Sequence, residues 1–134
     1  MIELKQIYQR FFSIGLIIFI IIPSILLSQD PPEEFTFNQS TLQAFYFFTE
    51  VKLNSESIQT DDWVAAFKGD VCVGARQWDT GSCGGGMCDL PVMGDDGAEY
   101  TTGYLQPGEI PTFKIFDTST GNIFDASASV EVGG

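Results

Sequence analysis

Two apolar runs separated by a glycine and an aspartate constrain this chain more than any other feature. The first is Asp62-Trp63-Val64-Ala65-Ala66-Phe67 and the second is Val71-Cys72-Val73-Gly74-Ala75-Arg76-Gln77-Trp78, with Lys68-Gly69-Asp70 between them. Both have strand length, and neither contains a proline that would remove a ladder donor. A Gly-Asp pair suits the positive φ that a tight antiparallel connection requires, so the segment is expected to form a β-hairpin. A lone hairpin is at best marginal in water, and further strands must cover its apolar face.

Further strands are legible on both sides. Leu42-Gln43-Ala44-Phe45-Tyr46-Phe47-Phe48 is a nearly continuous apolar run. It is expected to be a strand buried on both faces, or at the centre of a sandwich. Val51 and Leu53 alternate with Lys52 and lead into Asn54-Ser55-Glu56-Ser57, a turn composition. Residues 111–117 form another strand, with Phe113, Ile115 and Asp117 expected on one face and Lys114 and Phe116 on the other. Residues 118–122 read as a turn into Ile123-Phe124, and 127–132 as a closing edge strand. No segment keeps a helical period over three turns. The expected fold is all-β: an immunoglobulin-like or jelly-roll-like antiparallel β-sandwich over residues 36–134, with about seven short strands. Residues 29–35, holding two prolines and three acids, read as a linker before it.

Residues 79–97 break the strand pattern, with six glycines and four aspartates in 19 residues. A loop of that length is commonly functional or covalently stapled. Cys83 and Cys88 flank Gly84-Gly85-Gly86-Met87 and are the expected disulfide. Closing so short a loop contributes about 2 kcal/mol on chain-entropy grounds. Cys72 is then a buried apolar thiol, although its pairing with Cys83 or Cys88, or a site of three thiolates, stays open at this point.

The N-terminus carries an address. Lys5 and Arg10 precede Phe11-Phe12-Ser13-Ile14-Gly15-Leu16 and Ile17-Ile18-Phe19-Ile20-Ile21-Ile22, and after Pro23 the run ends at Ser28. A basic start, an apolar stretch and a small residue before polar chain form the pattern of a secretory signal. Residues 1–28 are expected to be a signal peptide cleaved after Ser28. The competing reading is an uncleaved anchor, in which residues 11–28 hold the chain to a membrane. Without residues 1–28 the chain has 17 acids against Lys52, Lys68, Arg76 and Lys114, a net charge of −13. Such a surface repels nucleic acid and anionic lipid headgroups, so neither is expected as a partner.

The chain has no histidine, which removes Ser-His-Asp and Cys-His catalysis. Glu50, Glu56, Asp61 and Asp62 are the acids available for glycoside hydrolysis, but so short a domain offers little room for a cleft. No catalytic residue is expected, and the chain is not read as an enzyme. Asp89, Asp95, Asp96 and Glu99 supply the hard oxygens calcium takes, with Gly94 and Gly97 to turn the backbone; Asp-Asp-Gly is equally a plain turn. Calcium is the one cofactor considered. Trp63 and Trp78, at the outer ends of the hairpin, are either a sugar-stacking pair or core.

The run from Asp62 to Gly74, DWVAAFKGDVCVG, followed by PTFKIFD, resembles a repeated β-sandwich module of large secreted or surface bacterial proteins. That pattern reads roughly D-x-[IV]-[GA]-A-F-x-x-G-x-C-x-G and then [FY]-[KR]-[IVL]-[YF]-D, matched here by Asp62, Ala66, Phe67, Cys72 and Gly74, by Gly69 one place ahead of the pattern's glycine, and by Phe113, Lys114 and Asp117. The resemblance implies a secreted or cell-surface, non-catalytic module, structural or adhesive. Its partners would be other protein modules or surface glycans. The alternative is a calcium-stabilised carbohydrate-binding module of a secreted glycan-degrading protein.

Overall fold

The hairpin forms where the two apolar runs and their Gly-Asp connection place it. In the computed structural model, which describes residues 30–129, eight strands follow one another. They are β1 Gln43–Phe47, β2 Lys52–Leu53, β3 Glu56–Ser57, β4 Trp63–Lys68, β5 Val71–Gln77, β6 Asp89–Met93, β7 Thr112–Asp117 and β8 Asn122–Ala126. Short 3₁₀ turns at Glu33–Phe35, Gly84–Gly86 and Glu99–Thr101 are the helical elements among the described residues. The fold is all-β, and every strand pairing is antiparallel. The expected signal or anchor, residues 1–28, lies outside the described residues. No helix among the described residues is long and apolar enough to cross a membrane.

Four strands make the main sheet, in the order β5-β4-β7-β8, with β1-β6 and β2-β3 as separate two-stranded pairs. Gly69 adopts φ +59° in the two-residue connection between Lys68 and Val71, a conformation that glycine enters without a Cβ clash. Period-two alternation then divides the main sheet into two faces. Val64, Ala66, Phe113 and Ile115 join Leu90, Val92 and Met93 of β6 in the larger core cluster. Ala65, Phe67 and Cys72 turn to the opposite face, where Phe35 packs on them. The expected division of β7 holds: Phe113 and Ile115 face the larger cluster, whereas Phe116 packs against the smaller one and Lys114 lies 5.2 Å from the centre of the Phe67 ring.

A register shift between Ala66 and Phe67 leaves Val73 as an extra residue of β5. This bulge sends both Cys72 and Gly74 to their proper faces with Val73 still fully buried. Tyr46 and Phe48 extend the larger cluster, their rings meeting Phe113 edge-on at 5.7 and 5.3 Å.

Several expectations need correction. The run around β1 is not buried on both faces: among the described residues β6 is its one strand partner, and Phe45 and Phe47 are 51% and 64% exposed. Continuous apolarity is the same whether the outward residues are covered or bare, which is why the sequence could not separate the two. The glycine-rich stretch is not all loop, because its Asp89–Met93 segment is β6. The turn expected over Asn54–Ser57 contracts to Asn54 and Ser55, both at positive φ, with Glu56 already pairing with Leu53. The segment read as a linker ends in Phe35, which is wholly buried between Phe67 and Phe116. β8 stops at Ala126 and residues 127–129 are not strand; the rest of the expected closing strand lies outside the described residues.

Candidate functional site

Each side chain singled out for chemistry has a definite place. Cys83 and Cys88 form the disulfide, with Cα atoms 5.1 Å apart across the 3₁₀ turn of glycines. Gly85 and Gly86 sit at φ +67° and +74°, which lets so short a loop close. Cys88 is fully buried in the larger cluster, so the bridge ties the loop directly to the core. Cys72 is free and buried, its thiol donating to the Gly74 carbonyl at 3.5 Å; burial pushes its pKa up, opposed by hydrogen bonding from the Gly74 backbone. A neutral thiol in apolar surroundings is a poor nucleophile and a poor metal ligand.

The four acids considered for calcium do not converge. Asp89, on β6, pairs with Arg76 of β5 at 3.1 Å. Asp95 accepts hydrogen bonds from the Gly97 N–H at 3.0 Å and the Gln106 amide at 3.2 Å. Asp96 is held from both sides. Its Oδ2 accepts from the Thr41 N–H at 2.8 Å and the Thr41 hydroxyl, while its Oδ1 accepts from the Thr101 hydroxyl at 2.8 Å and the Ala98 N–H. Those bonds, the Thr41 N–H foremost, hold the Asp96 carboxyl far below the usual carboxylate range. Glu99 opens the 3₁₀ turn that follows. Among the described residues no three or more histidines, cysteines, aspartates or glutamates are grouped so as to hold a metal ion. The oxygens of Asp95 and Asp96 are instead acceptors for local backbone and side-chain donors and for Thr41 and Gln106, which is the plainer role for Asp-Asp-Gly.

Two of the acids named for hydrolysis, Glu50 and Asp62, already have ion-pair or hydrogen-bond partners. Glu50 pairs with Lys52 at 3.0 Å, and Glu56 lies in the β2–β3 hairpin. Asp62 is 3% exposed and works as a staple. Its Oδ2 accepts from the Gln59 N–H at 2.7 Å and its Oδ1 from the Thr118 N–H at 2.9 Å, while its carbonyl accepts the Trp78 N–H. The neighbouring Asp61 carbonyl accepts the Thr118 hydroxyl at 2.6 Å. The entrance of β4, the exit of β5 and the β7–β8 turn are thus fastened together.

The two tryptophans part company. Trp63 stands opposite Gln77 and packs with the smaller cluster, whereas Trp78, one residue beyond β5, is buried in the larger cluster against Phe48. They share no face on which a sugar ring could lie.

The exposed aromatic surface lies elsewhere. Phe45 and Phe47 project from one face of β1, opposite Pro91 and Asp89 of β6. Leu42 is also 41% exposed at the start of this strand. On the other face of the strand, Leu42, Ala44 and Tyr46 wall a cleft of about 240 Å³ closed by Met93, Pro107 and Glu109. Sequence reasoning missed this surface because an apolar run of strand length does not reveal which alternate residues are covered. No protein-family model, curated protein or solved structure matches this chain.

Proposed function

We propose that this chain is an exported, non-catalytic β-sandwich module that works by surface contact, in a structural or adhesive role. A sandwich is supported by the larger core cluster, to which the four-stranded sheet and the β1–β6 pair both contribute. Export is supported by the basic-then-apolar leader and by the Cys83–Cys88 bridge, a bond that persists in oxidising compartments. The likeness of residues 62–74 and 111–117 to modules of bacterial surface proteins points the same way.

The observation that carries the contact reading is the outward pair Phe45 and Phe47 on a strand of a small acidic domain. Aromatic side chains left in water cost free energy, and contiguous exposed apolar surface marks interaction sites. Trp63 and Trp78 point to different clusters, so contact with another protein is favoured over sugar stacking. The test is cell fractionation, with N-terminal sequencing of the chain recovered. The expected result is chain in the medium or on the outer surface; retention in the cytoplasm overturns the proposal. A start at Gln29 distinguishes release from anchoring by residues 11–28.

A further inference from the structure

The strand edges of this fold are not treated alike. Native sheets blunt their edges with proline, charge, bulges or short strands, because a bare row of N–H and C=O groups invites another chain. Here β6 contains Pro91, β5 carries the bulge at Val73, β8 contains Asp125, and β2 and β3 are two residues each. β1 has none of these devices. Its sequence Gln43-Ala44-Phe45-Tyr46-Phe47 lacks charge, proline and glycine, and β6 is its only strand neighbour among the described residues. We propose that this free edge of β1 receives an extended peptide of another protein, apolar in its middle and basic at both ends, as an added strand. The proposal rests on the contact reading above and names the chemistry of its partner.

Two observations choose the occupant. The first is the cleft walled by Leu42, Ala44 and Tyr46, since strand addition takes affinity from the backbone and specificity from pockets for alternate side chains. The second is charge. Asp96 is bonded to Thr41 just before β1, with Asp95 beside it, whereas at the far end Glu50 and Asp89 are already paired with Lys52 and Arg76. Unpaired acid therefore stands at the start of an uncharged strand. A second copy pairing through β1 brings a second net charge of −13 to the contact and, with the strands parallel, sets acid against acid. A peptide with lysine or arginine at both ends places a cation beside Asp95 and Asp96 in either strand direction.

The probe is a fluorescent synthetic peptide of alternating valine and threonine with lysines at each end, titrated with the chain as the cell delivers it. Anisotropy is expected to show saturable binding that weakens as salt rises. The same peptide with glutamate ends, or with N-methyl groups along its β1-facing edge, is expected to bind at least about tenfold more weakly. Replacing Phe45 and Phe47 together by alanine removes exposed rings without opening the core, and is expected to weaken binding about tenfold or more. Equal binding of the N-methylated peptide overturns strand addition, and equal binding of the glutamate peptide overturns the basic partner. Concentration-dependent dimerisation that Phe45→Lys abolishes, without peptide binding, makes a second copy the occupant and overturns the proposal. If the chain is found outside the cell and no peptide binds, strand addition fails while the exported module stands. Cytoplasmic retention removes both.

Discussion

Gly74 of β5 lies directly under the carbonyl of Pro91 in β6, and no larger residue fits there. A Cβ built on Gly74 would stand 2.8 Å from the Pro91 carbonyl carbon and closer still to its oxygen. The obstacle is backbone, which cannot swing aside as a flexible side chain does. Gly74 is therefore the point at which the main sheet and the β1–β6 pair approach most intimately. Gly74→Ala is expected to force β6 outward and destabilise the domain by about 3 kcal/mol, the upper part of the usual overpacking range. Urea unfolding followed by tryptophan fluorescence reads it, since Trp78 is buried in the cluster this contact closes. An unchanged midpoint would show that β6 is not held against β5.

Asp62 offers a second, electrostatic test. Its buried carboxylate satisfies the Gln59 and Thr118 N–H groups, and neither donor has a substitute in the structure when the acid is removed. Both bonds are part-buried, so water meets some of the loss and each unmade donor costs about 1 kcal/mol. Asp62→Ala is expected to lower stability by about 2 kcal/mol, and Asp62→Asn, which keeps one acceptor oxygen, by less. Equal losses in the two variants in a denaturant titration would argue that packing, not hydrogen bonding, fixes this corner.

The legibility of the fold follows from which residues report their own surroundings. Between Trp63 and Gln77 two apolar runs joined by a Gly-Asp turn made the hairpin legible without knowledge of its neighbours, although the bulge at Val73 that sets its register was not. Phe113 to Asp117 alternate between two apolar clusters. β6 was hidden because Pro91 is a poor strand residue; it is tolerated in a strand whose one partner among the described residues is β1, and its carbonyl is what Gly74 accommodates. Phe35 was hidden among prolines and acids that describe a linker, yet its ring covers the far face of the main sheet. The acids of the loop announced themselves as ligands because composition cannot show that Thr41, Ala98 and Thr101 already take their oxygens. The exposed pair on β1 needed the one fact that sequence withholds, namely the absence of anything packed over Phe45 and Phe47 among the described residues.

The disulfide and the free thiol give separable readouts. Replacing Cys83 and Cys88 together by alanine removes a short-loop constraint, and a loss of about 2 kcal/mol is expected from chain entropy. Cys72, buried and with its pKa raised by that burial, is expected to resist iodoacetamide in the native chain and to react fully in denaturant. Mass spectrometry counts the alkylated sites. Rapid native alkylation at Cys72 would mean that the face covered by Phe35 opens readily.

Acid sensitivity follows from the carboxylates. Asp96 is held far below its ordinary value, chiefly by the Thr41 N–H and then the Thr101 hydroxyl. Glu109 is lowered chiefly by the Gln106 N–H, with Lys68 adding to it, and Asp117 chiefly by the Ser119 hydroxyl. A carboxylate whose folded pKa is depressed contributes stability that is complete above its unfolded pKa of about 4 and is lost as pH falls through the folded value. The domain is therefore expected to hold constant stability with respect to these groups above about pH 5 and to weaken progressively below about pH 4. Asp96→Asn cannot be protonated and keeps only part of the acceptor set. It is expected to be less stable than the parent at pH 7 and to lose less on acidification, so the two stability curves converge at low pH. Thermal melts of parent and variant from pH 7 to pH 2 check this, and parallel curves across that window would remove Asp96 as a source of the acid dependence.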